Sequence, residues 1–239
     1  MKNALLATDL SIVSDLLLDC LPHFKKLGIE HISLIHVPSI GFNYMEYSGY
    51  SMMVHVEARL TNMRNRCREE GFSADFVLRE GLPSQEILDY ASERPDVLII
   101  MGSKGFGFSK RNLIGSTTLR VIQQSQNPVL MIRVRHSGKD ESGKDTCTLD
   151  APDLLEHAMI LTDFSANASR AFVYASSHIA AHCANVGIMH IQDTVALRHH
   201  SRETIAHFNK TDAERLEKLV EHLRNRTAAP VNAHLHEGA

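Results

Sequence analysis

Five short apolar runs pace the first 135 residues, and each is followed by a stretch of helical or polar character. Asn3 to Thr8 reads as a strand and ends in Asp9-Leu10-Ser11. Ser11 is placed to cap a helix in which Ile12, Leu16, Cys20 and Phe24 recur at near-helical spacing, and Leu27-Gly28 closes it. His31 to Val37 is a second strand stopped by Pro38. Residues 39 to 53, with Tyr44, Tyr47, Tyr50 and three methionines, read as a long loop. The loop runs into a helix of about twenty residues that ends at Glu69-Glu70-Gly71. Ser73 to Arg79 alternates as a strand does, Gly81 breaks it, and Pro83 stands near the start of a third helix. Asp96 to Met101 is strand four, Gly115 to Gln124 holds helix four, and Pro128 to Val134 is strand five.

Strands alternating with helices predict an α/β domain with a mainly parallel sheet. Right-handed crossovers then allow a doubly wound five-stranded sheet of order 3-2-1-4-5. In that order strands one and four are neighbours at the point where the winding reverses, and ligands of open α/β sheets bind beyond the strand ends there. Asp9 ends strand one and Gly102 ends strand four, so both face one predicted crevice.

The segment after strand four has phosphate-binding chemistry. Gly102-Ser103-Lys104-Gly105 follows the apolar Val97 to Met101, and Gly115-Ser116-Thr117-Thr118 opens the next helix. Glycines let backbone N–H groups approach phosphate oxygens, and a helix start adds unpaired donors and a positive dipole end. Lys104, Lys110 and Arg111 add positive charge. The spacing excludes two familiar motifs: no Gly-Lys-Ser/Thr run closes a P-loop, and Lys110 stands where a dinucleotide fingerprint from Gly105 needs its third glycine. A glycine-rich turn without a ligand is the plain alternative. Likewise Asp9 and Ser116 could simply cap their helices, and His36 and His190 could be structural histidines.

Residues 136–152, HSGKDESGKDTCTLDAP, are polar and read as a linker. Beyond it the chain starts again. Ala7-Thr8-Asp9-Leu10-Ser11 returns as Leu161-Thr162-Asp163-Phe164-Ser165, and Ser33 to Val37 as Gly187 to Ile191, both displaced by 154 residues. Arg79-Glu80-Gly81 returns as His236-Glu237-Gly238. The division predicted is a complete domain over 1–135, a linker, and a second, incomplete copy over 153–239. That copy has Asp163 but no counterpart of the glycine loop, strand four or strand five.

A net charge of -3 is not that of a general nucleic-acid-binding surface. The apolar runs are too short to span a bilayer, and no leader-like segment precedes the first strand. Cys20, Cys67, Cys147 and Cys183 have no paired spacing and read as reduced thiols, which suits a cytoplasmic protein. Ten of the fifteen histidines follow Pro152, including His199-His200 and His234-Leu235-His236, but no metal-ligand pattern emerges.

The combination of ATDLS and LTDFS, LIHV and IMHI, the Gly102/Gly105/Gly115-Ser116 spacing and Asn127-Pro128-Val129-Leu130 resembles the universal stress protein family, in its ATP-binding branch. The resemblance covers both halves and implies the sheet order already argued. It implies ATP, possibly with Mg²⁺, as the ligand. Asp9, with Thr8 beside it, would meet the nucleoside, and Val37 would meet adenine through its backbone. Gly102, Gly105, Gly115 and Ser116, with Thr117 close by, would hold the phosphates. It also implies self-association through strand five, Val129 to Val134, giving a homodimer. The function expected is a stress-response regulator, a nucleotide-dependent switch or scaffold acting on a protein partner. The alternatives are a slow ATPase and an interaction module that ignores nucleotides.

Overall fold

A computed structural model describes residues 2–38, 48–103, 114–139, 145–150 and 153–238. The chain divides into two compact units, Met1–Pro152 and Asp153–Ala239.

In the first unit the elements follow the hydrophobic pattern: β1 (Asn3–Thr8), α1 (Ile12–Leu18), α2 (Leu21–Lys26), β2 (His31–His36), α3 (Ser48–Glu69), β3 (Ser73–Leu78), α4 (Pro83–Ser92), β4 (Val97–Gly102), α5 (Ser116–Gln124) and β5 (Val129–Ile132). The five strands form a parallel sheet of order β3-β2-β1-β4-β5, the predicted doubly wound arrangement. Every residue of β4 is buried, as expected of a central parallel strand covered on both faces. One face packs Leu5, Ile35, Ile99 and Met101 against Ile87 and Ala91 of α4 and Val121 of α5. Alternate residues such as Leu6 and Ile100 are also fully buried.

Three local readings need correction. The first predicted helix is two, α1 and α2, because Pro22 cannot continue a helix through Leu18 but fits the first turn of a new one. The long helix α3 begins at Ser48, inside the stretch read as loop, while residues 39–47 lie outside the described residues. Strand five ends at Ile132, and Val134 already belongs to another strand.

That strand is β6 (Val134–Lys139), which pairs antiparallel with β7 (Asp145–Leu149) inside the stretch read as a linker. Val134 and Cys147 pack with Val13 of α1, joined by Ile12, Leu16 and Leu149. One apolar residue of β6, Val134, and two of β7, Cys147 and Leu149, seat the ribbon on α1. Between polar neighbours they leave no apolar run to notice. Asp150 anchors the ribbon's end by ion pairs to Arg133 (2.9 Å) and Arg135.

The second unit contains β8 (His157–Leu161), α6 (Ala166–His178), β9 (Asn185–Asp193), the short α7 (Thr194–Leu197), α8 (Arg202–Arg224) and β10 (Val231–Gly238). Its parallel sheet has order β10-β9-β8, which repeats β3-β2-β1. The repeat extends to backbone detail: Leu10 and Phe164, 154 residues apart, both adopt φ 59°, a left-handed conformation uncommon outside glycine. The histidines after Pro152 do not converge. His234 and His236 stack with ring centroids 6.2 Å apart, and among the described residues no three His, Cys, Asp or Glu side chains form a metal-holding group. No described helix is long and apolar enough to cross a membrane.

Candidate nucleotide site

The C-terminal ends of β1 and β4 lie side by side, with Leu6 opposite Ile100 in the ladder. Two residues further on, the chain leaves the sheet at Thr8-Asp9 and at Gly102-Ser103, and a cavity of about 270 Å³ opens there. Its lining includes Thr8, Asp9, Val37, Gly102, Gly115, Ser116 and Thr117, seven of the eight residues expected from sequence. The eighth, Gly105, lies outside the described residues, as do Lys104, Gly107, Lys110 and Arg111.

Each wall has a local cause. The left-handed turn at Leu10 folds the chain back so that the Thr8 hydroxyl accepts from Leu10 N (3.0 Å). The Asp9 carboxylate accepts through one oxygen from Ser11 N (3.0 Å) and from the Ser14 hydroxyl (3.0 Å). Asp9 is thereby tied to the first turn of α1. Ser11 stands at the N-cap position, but its hydroxyl makes no capping bond, and its buried Oγ has no hydrogen-bond partner among the described residues.

Across the crevice, Gly115 N donates to the Ser103 carbonyl (2.8 Å), and the Thr118 hydroxyl donates to the Gly102 carbonyl (2.9 Å). These two bonds fix the start of α5 against the end of β4. Gly115, not Ser116, occupies the N-cap position, and no side chain caps the helix. First-turn N–H groups of an α-helix have no partner within it, and Ser116 and Thr117, which carry two of them, line the cavity.

Much of the remaining lining is apolar, including Ala7, Ile35, Val37, Pro83, Ile87 and Met101. Donors at one end and an apolar slot at the other suit a ligand with an anionic head and a flat ring. Sequence reasoning missed Val13, Ser14, Leu17, Pro83 and Ile87. Ser14 could have been found from its position one turn into the helix that follows Asp9. The α4 residues could not, since nothing local says which face of that helix meets the crevice.

The second unit repeats half of this construction. Asp163 accepts from Ser165 N (2.9 Å), and hydrogen bonding from Ser165 holds its carboxyl below the usual carboxylate range. Unlike Ser11, Ser165 does cap its helix, accepting from Ala168 N (3.1 Å). Where a glycine loop would stand, this unit has no strand beside β8 among the described residues.

Comparison with known proteins agrees with this fold. The model of the universal stress protein family matches residues 1–133. A universal stress protein of Methanocaldococcus jannaschii is 27% identical over 157 residues, covering 57% of this chain and 97% of that protein. Universal stress protein YxiE of Bacillus subtilis is 30% identical over 148 residues, covering 55% of this chain and 99% of that one. The solved structure of a universal stress protein from Archaeoglobus fulgidus superposes with a TM-score of 0.68 at 24% identity. It covers 99% of this chain and 77% of that one, a likeness of fold that extends to the second unit. On these grounds the chain belongs to the universal stress protein family.

Proposed function

We propose that the first unit binds an adenine nucleotide, ATP with Mg²⁺, and serves as a nucleotide-dependent switch or scaffold in a stress response. The observation that carries this reading is that one cavity is lined by Asp9, Gly102, Gly115 and Ser116 together with apolar Ile35, Val37 and Ile87. Adenine fits the slot beside Val37, the ribose hydroxyls suit Asp9, and the phosphates suit the donors at the start of α5. With no ready-made carboxylate and histidine cage among the described residues, Mg²⁺ would arrive on the phosphates, near the Ser116 and Thr117 hydroxyls.

Regulation follows from where the ligand would sit. It would join β1, β2, α4 and α5 through one molecule and so stiffen the surface offered to a partner. Self-association along β5 and a cytoplasmic location are parts of the same reading. Slow ATP hydrolysis is the second reading. Among the described lining residues Asp9 is the one carboxylate, and it is tied to Ser11 and Ser14, which favours binding over turnover. Denaturing the purified chain and identifying released nucleotide by chromatography tests the proposal. Near-stoichiometric adenine nucleotide supports it, while folded protein that neither carries nor takes up nucleotide leaves the interaction module.

A further inference from the structure

Val134, the first residue of β6, touches the supports of both sides of the candidate nucleotide cavity. Its N–H donates to the Ser103 hydroxyl (3.2 Å), and Ser103 directly follows Gly102 at the end of β4. Its side chain packs with Val13 of α1. Gly102 and Val13 both line the cavity, as does Ser14, which donates to Asp9. The buried Ser103 is a junction in its own right: its N–H donates to the Ile132 carbonyl (2.8 Å), and its carbonyl accepts from Gly115 N (2.8 Å) at the cap of α5. One residue of the ribbon is thus held from the Asp9 side of the cavity through Val13 and from the α5 side through Ser103.

We propose that the β6–β7 ribbon is a strap whose docking on α1 is coupled to occupancy of the nucleotide site. The inference rests on the nucleotide-binding reading above and names the element that binding regulates. A two-stranded ribbon is marginal by itself, and this one is seated by Val134, Cys147 and Leu149 and clasped at its base by Asp150 with Arg133 and Arg135. So small an interface gives the strap two arrangements, docked and open, separated by less than global unfolding and within reach of a ligand's bias. A nucleotide held between Asp9 and the start of α5 fixes α1 against the end of β4. Val13 and Ser103 are then set where Val134 needs them, and docking is favoured. The coupling is reciprocal: the factor by which nucleotide suppresses opening is the factor by which an open strap weakens binding.

Cys147 reports opening without any substitution, because it is buried against Val13 and Val134. The full chain, freed of carried nucleotide, is treated with a thiol reagent with and without ATP and Mg²⁺, and peptide mass spectrometry resolves the labelled cysteines. Cys147 should label faster than Cys20 and Cys67, which lie in the core, and saturating nucleotide should slow it about fivefold or more. Asp150→Asn, which loosens the clasp, should speed Cys147 several-fold and leave Cys20 and Cys67 unchanged. Leu149→Glu, which puts a charge under the strap, should keep the native circular dichroism, label freely at Cys147 and bind ATP more weakly by the factor that nucleotide slows wild-type labelling. Labelling of Cys147 in step with Cys20 and Cys67, or indifferent to nucleotide that calorimetry shows to be bound, overturns the strap and leaves the binding reading standing. So does unchanged ATP affinity in a Leu149→Glu chain that labels freely at Cys147. Absence of ATP binding in calorimetry overturns the binding reading and the strap with it.

Discussion

His36 Nδ1 lies 2.8 Å from the carbonyl oxygen of Thr8, and the same bond recurs at 2.8 Å between His190 and Thr162. A carbonyl only accepts, so each Nδ1 carries the proton. The bond ties the end of β2 to the end of β1, one residue before Asp9. It makes both histidines structural, the plain reading of their place at the ends of apolar strands. His36→Leu leaves the Thr8 carbonyl buried without this donor and should cost about 1–3 kcal/mol in urea unfolding. Nitrogen NMR should find the Nδ1-protonated ring in the wild type.

The left-handed turn at Leu10 should respond to side-chain branching. Leu10→Val should cost about 1–2 kcal/mol, because a β-branched residue tolerates φ 59° poorly, while Leu10→Gly should be near neutral. Phe164 is the internal control. Its ring lies 4.5 Å from that of His190 and beneath Arg215 at 5.3 Å, so Phe164→Gly loses packing and should destabilise the second unit. Thermal melts of the three variants separate these outcomes.

Burial pushes the thiols of Cys20 and Cys67 up to about 11, with Asp19 adding to the effect at Cys20 and Arg66 opposing it at Cys67. In the unfolded chain they ionise near 9.0. The folded state thus keeps protons that the unfolded state loses. This contribution is full below pH 9 and is lost as the pH rises through 11. At roughly 1.4 kcal/mol per pKa unit, each thiol removes on the order of 3 kcal/mol across that window. Urea midpoints should fall between pH 9 and 11, and less so in Cys20→Ala/Cys67→Ala measured against its own value at pH 8. Native protein should react slowly with thiol reagents below pH 9.

Ser14 donates to Asp9 without being a predicted ligand contact in its own right. Ser14→Ala should weaken nucleotide binding several-fold through a looser Asp9, with about 1 kcal/mol lost in stability. Asp9→Ala should weaken it more, since it removes the proposed ribose partner itself. Calorimetric titration of both variants gives the ranking.

The order of the five-stranded sheet was legible because β1, β2, β4 and β5 are apolar runs, β3 alternates, and Asp9 and Gly102 stand at the ends of two of them. The crevice was legible for the same reason: strand ends can be located in a sequence. What escaped depends on tertiary contacts. Pro22 breaks α1 from α2 only through a clash one turn back, and the spacing of Ile12 to Phe24 hides it. The β6–β7 ribbon has few apolar residues of its own and depends on Val13, Ile12 and Leu16 to become a structure. Pro83 and Ile87 reach the cavity because α4 packs over β4, which no local pattern declares. The repeat, by contrast, was plain in two short motifs, and the order β10-β9-β8 reproduces β3-β2-β1.

The central claim is nucleotide binding between Asp9 and the start of α5. Calorimetric titration of the full chain, freed of any carried nucleotide, with ATP and Mg²⁺ tests it most directly. The account predicts close to one site per chain, with binding weakened at least tenfold in Gly115→Val, whose side chain would project at the cap of α5. Absence of heat from protein shown to be folded, or binding indifferent to both Gly115→Val and Asp9→Ala, would contradict it.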